Sequence, residues 1–316
     1  MANFIDVTNV SYAGKELQEI LSRDLFSLPL RDAGVTYMDG LKGKTKIYTG
    51  EIGEVWQRYS CPFSPQGAAS LAESYIEPVA IKSNLENCYD TYWNTFLVDQ
   101  TSISLNGGIP QTFGDWFFSK YREKMAREFQ EIFWQASTAH TAATKAYLAV
   151  TNGVETQLSN ATGATHITGA VISVDNVISQ LEAVIFAGLN AAGAGEYDTS
   201  NFKILMNFQD VMLLRTALGK LCCGNSTTDR FSNYAKEGDK IFVMGFEVVP
   251  TMQSKNTIIF GDPRNLVLGF DSYDSALEWK LIDMRQTTGD NAFRIVALAN
   301  IGVGVVFPEG FVISKP

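Results

Sequence analysis

The chain has 316 residues, 46% of them apolar and 19% charged, and its 25 Lys plus Arg against 34 Asp plus Glu leave a net charge of −9. Such a composition excludes disorder of the whole chain and supplies enough apolar material for a sizeable core. The acid excess disfavours a protein that coats nucleic acid, and 12% aromatic residues, 20 of them Phe, imply several large buried contacts.

The first six residues carry no basic region followed by an apolar run, so no secretory leader is expected there. The most apolar runs, 183–188 and 301–307, are far too short to span a bilayer. Cys61, Cys88, Cys222 and Cys223 lack a metal-binding spacing, and the adjacent pair would make a strained disulfide; all four read as free thiols of a reducing compartment.

Residues 1–38 hold one amphipathic stretch, with Leu17, Ile20, Leu21, Leu25 and Leu28 at helical spacing and Pro29 as its stop. It is too short to make its own core and reads as an arm lying on something else. From Asp39-Gly40 the pattern turns to strand. Lys42, Lys44 and Lys46 alternate with Gly43, Thr45 and Ile47, which puts the three lysines on one face. Tyr48 to Arg58 continues with residues that suit a pleated surface, and 61–69 is a Pro- and Gly-containing loop. The next strand turns Val79, Ile81, Leu85 and Tyr89 one way and Lys82, Asn84, Glu86 and Asp90 the other. The pattern predicts a long two-stranded excursion that needs a neighbour to lie on.

Phe117, Tyr121, Met125, Phe129 and Phe133 recur every four residues and predict a helix capped by Thr112 or Asp115. The small residues after Gln135 contain no Gly or Pro, so the helix is expected to run on to Val150 and stop at Asn152-Gly153. Residues 154–170 read as a loop. Ser173 opens a second helix with Val177, Ile178, Leu181, Val184, Ile185 and Leu189 on one face. A buried strand at 202–206 and a helix through Val211, Leu214 and Leu218 follow. Strands are then expected at 241–249, 256–260, 265–270, 275–284, 291–299 and 303–307. Strands and helices are segregated, so the fold class is α+β.

Catalytic signatures are weak. His140 and His166 are the two histidines, and neither has a second ligand at metal spacing. There is no nucleophile elbow, no phosphate-binding loop and no dinucleotide fingerprint; Gly302-Val303-Gly304 sits in an apolar strand and reads as packing. Asp262, before Pro263, reads as a turn residue, with a metal or acid site as the alternative. Asp271, Asp274, Glu196 and Asp198 fall in turns and loops. No catalytic, cofactor or metal residue is assigned. The row Lys42, Lys44, Lys46 is either solvated or set over acidic groups of another subunit.

In order and pattern the chain resembles the major capsid proteins of tailed phages, the Hong Kong-type capsid fold. The resemblance is strongest at 201–207 (Asn201 to Asn207), Gly245-Phe246-Glu247-Val248-Val249-Pro250, 256–263 (Asn256 to Pro263) and 293–298 (Phe293 to Leu298). It implies an N-terminal arm at 1–38, an extended β loop at 39–80, a peripheral domain at 81–167 with a long spine helix at about 113–150, an axial domain at 168–290, and C-terminal strands at 291–316 returning to the peripheral domain. It implies a structural, non-enzymatic shell protein that self-assembles into pentamers and hexamers of an icosahedral head around double-stranded DNA. The DNA would be held without sequence-specific contact. Its setting would be the virion capsid, assembled in the host bacterial cytoplasm, with no membrane and no cofactor. Scaffolding, portal and decoration proteins are candidate partners. Some relatives join the extended loop to a neighbour by a lysine–asparagine bond, which makes Asn291, with Lys42, Lys44 and Lys46, a candidate intersubunit contact. The alternatives are a compartment shell enclosing enzymes, a tail sugar-binding protein or a small hydrolase.

Overall fold

The computed structural model describes residues 11–12, 30, 33–41, 43–52, 56, 58, 69–92, 96–98, 113–192, 199–223, 234–237, 240–270, 277–286 and 288–316. In chain order, β1 (Ser11–Tyr12) and β2 (Thr36–Met38) precede a hairpin of β3 (Thr45–Ile52) and β4 (Ala69–Ile76), then β5 (Val79–Cys88) and helix α1 (Phe113–Gln135). Helix α2 (Val154–Asn160), β6 (Thr165–Thr168), α3 (Val177–Ala192), β7 (Lys203–Asn207) and α4 (Phe208–Cys223) follow. The rest is strand: β8 (Tyr234–Glu237), β9 (Lys240–Val243), β10 (Phe246–Thr251), β11 (Ile258–Gly261), β12 (Leu266–Phe270), β13 (Leu277–Asp283), β14 (Ala292–Val305) and β15 (Val312–Lys315). The class is α+β, as the segregation of the patterns predicts. The amphipathic stretch at Leu17–Leu28 lies outside the described residues.

Two sheets carry the fold. The first is built on β14, whose one edge pairs with β5 and whose other edge pairs first with β13 and then with β12; β1 and β2 close its margins. Along β14 the residues Phe293, Ile295, Ala297, Ala299, Ile301 and Val303 all enter the core, while Arg294 and Leu298 on the other face are exposed. The second sheet has the order β6-β15-β11-β7-β10-β9-β8, and its central strands β15, β11 and β7 are buried on both faces. Leu205, Val249, Ile259 and Ile313 face the same core as Phe133, Trp134 and Leu158. Ile204, Met206, Val248, Ile258, Phe260 and Val312 face a second core with Val177, Leu181, Ile185 and Leu214 from α3 and α4. A strand covered on both sides reads as an unbroken apolar run, which is why 202–206 is legible.

The predicted stripe on α1 is largely confirmed: Phe117, Met125 and Phe133 are buried, while Tyr121 and Phe129 are half-buried and pack against that core. Its predicted cap Thr112 lies outside the described residues. The helix ends at Gln135, not at Val150. The carbonyl of Ala136 accepts from Gly153 N (2.7 Å) and Thr156 Oγ1 (2.8 Å), and Asn152 Oδ1 accepts from both the N–H and the hydroxyl of Thr138. Asn and Thr side chains thus offer the backbone partners that compete with the helix, and the returning chain covers its end. A Cβ at Gly153 would stand 2.8 Å from the backbone of Ala136, Ile132 and Phe133. Beyond the turn, Glu131 is buried and its carboxylate holds Lys145 Nζ at 2.8 Å and the Tyr147 hydroxyl, tying 145–149 back to α1.

Other expectations are corrected. The stretch 154–170 is not a loop: it holds α2, seated on fully buried Val154 and Leu158, and β6, which pairs in parallel with β15. The run 241–249 is two antiparallel strands turning at Met244-Gly245, both with positive φ. The strands expected at 291–299 and 303–307 are one, β14. The strand returning from the excursion is β4, paired with β3, and 79–88 belongs instead to the first sheet, with the predicted alternation of faces. The sheets also redraw the implied division. β12 and β13, placed at 168–290, lie in the same sheet as β14, whereas β15, placed with the C-terminal strands, lies in the sheet of β7 and β11. Pairing to α3-covered β11 is what takes β15 there, since Ile313 and Val312 fill the two cores on either side of that sheet.

Candidate intersubunit surface

The β3–β4 hairpin is a two-stranded sheet of its own. Its base is fixed to the first sheet through Ile76, Ile47 and Leu41, which cluster with Val267, and Ser74 Oγ donates to Val306 O at 3.1 Å. The opposite face is polar and aromatic. Register sets Lys46 across from Tyr75 and Tyr48 across from Glu73. Lys46 Nζ lies 2.7 Å from Glu73 Oε2, and the Tyr75 hydroxyl donates to the same oxygen at 2.6 Å. Lys44 Nζ stands 4.6 Å over the Tyr75 ring and Lys46 Nζ 5.5 Å. The Glu73 hydrogen bond raises the Lys46 pKa, and Lys46 in turn lowers that of Glu73. Lys44 and Lys46 therefore share one exposed face, as the alternation requires; Lys42 lies outside the described residues. The pattern did not reveal that Glu73 and Tyr75 partly neutralise and shield the row from within the hairpin.

Asn291 is exposed just before β14, and its Nδ2 donates to Asp90 Oδ1 at 3.0 Å. The hairpin base meets β14 at the other end, where Gly302 and Gly304 touch Ile76. Eleven residues of strand separate the two places, roughly 35 Å at 3.3 Å per residue. One chain thus does not bring the lysines and Asn291 together. A carboxylate does stand beside Asn291, in an exposed setting.

The remaining candidates have structural partners. His140 Nε2 is 3.3 Å from Thr144 O, and His166 Nε2 is 3.0 Å from Ala161 O. Asp262 is a turn residue: it caps a short turn by accepting from Arg264 N and clasps the Arg264 guanidinium at 2.6 Å. Asp283 and Arg285 repeat that arrangement, with Arg285 stacked 4.4 Å over Tyr89. Asp271, Asp274, Glu196 and Asp198 lie outside the described residues. Among the described residues no His, Cys, Asp and Glu cluster suits a metal ion, and no described helix is long and apolar enough to cross a membrane. Cys88 is a free, exposed thiol.

Two features of this surface had no clear signal in the sequence. Trp56 and Arg58, between β3 and β4, are exposed, Trp56 at 94%. An open groove of about 460 Å³ runs between α1 and the first sheet, lined by Met125, Glu128, Phe129, Ile132, Ala297 and Ala299 among others.

No family model and no curated protein matches the sequence. Solved structures do match the fold. A chain of the satellite phage P4 procapsid, in a structure that includes the size determination (Sid) protein, is similar with a TM-score of 0.60 at 11% identity, over 95% of this chain and 98% of that one. The capsid of the empty GTA particle gives 0.55 at 13% identity, over 91% and 89%. The capsid of Myoviridae phage XM1 gives 0.55 at 10% identity, over 99% and 95%. The chain has the tailed-phage capsid fold. Within the capsid fold the hairpin is joined at its base to the first sheet, through Leu41, Ile47 and Ile76.

Proposed function

We propose that the chain is a major capsid protein that self-assembles into the pentamers and hexamers of an icosahedral phage head around double-stranded DNA. The observation that carries this reading is the match to capsid chains over nearly their whole length. The net charge of −9 suits a wall that encloses DNA without gripping it. In this reading residues 1–38 are the N-terminal arm, 39–80 the extended loop and α1 the spine helix; the sheet of β14 is the peripheral body and the sheet of β7 the axial one. Lys42, Lys44, Lys46 and Asn291 are intersubunit contacts. The protein is structural, not an enzyme; it resides in the virion capsid, is assembled in the bacterial cytoplasm, and has scaffolding, portal and decoration proteins as partners.

Electron microscopy of the purified protein tests the reading. Closed particles are expected, with nuclease-protected DNA when they are recovered from infected cells. A monodisperse monomer under all assembly conditions would overturn it, and particles filled with enzyme would replace the phage head by a compartment shell. Deleting 50–72 should leave a folded subunit that does not assemble.

A further inference from the structure

We propose that Trp56 of one subunit seats in the groove between α1 and β14 of a second copy of the chain, an inference that rests on the shell reading above. Trp56 is the most exposed large apolar side chain among the described residues, at 94%. An indole left in water is a strong candidate for a contact made elsewhere, since Trp is among the residues that dominate interface energies. The groove of about 460 Å³ has room for it, because Ala297 and Ala299 form its floor where larger residues would fill it. Its walls are Met125, Phe129 and Ile132, and a thioether and a ring edge are both favourable neighbours for an indole. The indole N–H needs an acceptor, and Glu128, whose Oε1 pairs with Lys124 Nζ at 3.0 Å within α1, offers its other carboxylate oxygen at the rim with its side chain 31% exposed.

The occupant comes from another copy because of how the hairpin leaves its own sheet. Ile76 packs on Gly302 and Gly304, which belong to one face of β14, while Ala297 and Ala299 belong to the other. The hairpin therefore starts on the side of the sheet away from its own groove. The eight residues of β3 then carry the chain outward by about 25 Å before Trp56 is reached.

The test uses the full chain. Trp56→Ala should fold with an unchanged melting temperature, because the side chain is 94% exposed in the free subunit, and should raise the subunit concentration needed for assembly by roughly thirty-fold. Trp56→Phe should recover part of that loss. Trp56→Cys combined with Glu128→Cys should give disulfide-linked ladders from assembled particles under non-reducing conditions, with neither single variant doing so and no ladder from unassembled subunits. If the parent forms shells while Trp56→Ala assembles at the same concentration and the double variant gives no ladder, the groove assignment is overturned and the shell reading stands. If the parent forms no shells at all, the shell reading itself is lost.

Discussion

Ile76 lies against Gly304 so closely that a Cβ built on the glycine would stand 2.5 Å from Ile76 Cγ1; at Gly302 the corresponding approach to Ile76 Cγ2 is 2.8 Å. The two glycines leave a notch in β14, and the last residue of the hairpin fills it. Ile76 is 1% exposed and enclosed by Leu41 and Val267, so it has little freedom to yield.

Gly304→Ala should therefore overpack the notch and cost about 1–3 kcal/mol. Ile76→Val in the same chain removes Cδ1, 2.8 Å from the new Cβ, but keeps Cγ1 at 2.5 Å, so it should recover only a small part of that loss. Chemical denaturation of the two single variants and the double variant measures the coupling. Additive losses would show that the contact is not the cause.

The spine helix offers a graded test. Phe133 is 1% exposed and meets Trp134 at 5.0 Å between ring centroids, whereas Phe129 is half-buried at the groove. Phe133→Ala should cost roughly 3–5 kcal/mol and Phe129→Ala clearly less. Equal shifts in melting temperature would contradict the stripe's division into a core part and a groove part.

Much of this core was legible because it repeats at a fixed period. Phe117, Met125 and Phe133 mark a helix face, and Phe293, Ile295 and Ala297 a strand face, without knowledge of their partners. What periodicity does not carry is where an element stops and what it meets. Alanines and threonines after Gln135 are compatible with helix, and it is Leu148, Asn152, Gly153 and Thr156, returning from beyond, that take over the final hydrogen bonds. Helix α2 is seven residues long and owes its form to the burial of Val154 and Leu158. The lysine row was legible as a face, but Glu73 and Tyr75 reach it only through the β3–β4 register. The groove is assembled from four separated stretches, 80–83, 125–132, 147–150 and 297–299, so no local pattern announces it.

Two buried carboxylates should give opposite pH dependence. Burial raises the pKa of Asp210, although its Oδ2 accepts from Asn256 N at 2.8 Å. The folded state then holds its proton more tightly than the unfolded chain, so this residue's contribution falls as pH rises above the unfolded value of about 3.9. Glu131 is the reverse. Burial opposes its charge, but Lys145 and Tyr147 outweigh that and lower its pKa, so its contribution is present above the unfolded value of about 4.3 and is lost as pH falls through the folded one. Asp210→Asn should be more stable than the parent at neutral pH and lose that advantage in acid. Glu131→Gln should be less stable at neutral pH and approach the parent in acid. Urea midpoints at several pH values decide, and two curves of the same sign would refute the assignment.

The lysine face gives the last test. Lys46 already has Glu73, and Lys44 has the Tyr75 ring, so the row offers a neighbouring subunit a partly neutralised, partly aromatic surface. Each exposed pair it forms across subunits contributes only about 0–1 kcal/mol, but a shell repeats the contact at every copy. Changing Lys42, Lys44 and Lys46 together to Gln should weaken assembly at low salt and matter less at high salt, where screening has already removed most of the attraction. Assembly equal to the parent at every ionic strength would mean that the row is only solvated. A lysine–asparagine bond is a separate matter. Within one chain Asn291 is roughly 35 Å of strand away from the hairpin base, so the bond would have to join two subunits, and it would need Asp90 to lose its exposure on assembly to act in a dry site. Mature particles boiled in detergent should then run as multimers that disappear in Asn291→Ala; bands of monomer alone from the parent would eliminate the bond and leave the salt-dependent contact as the row's contribution.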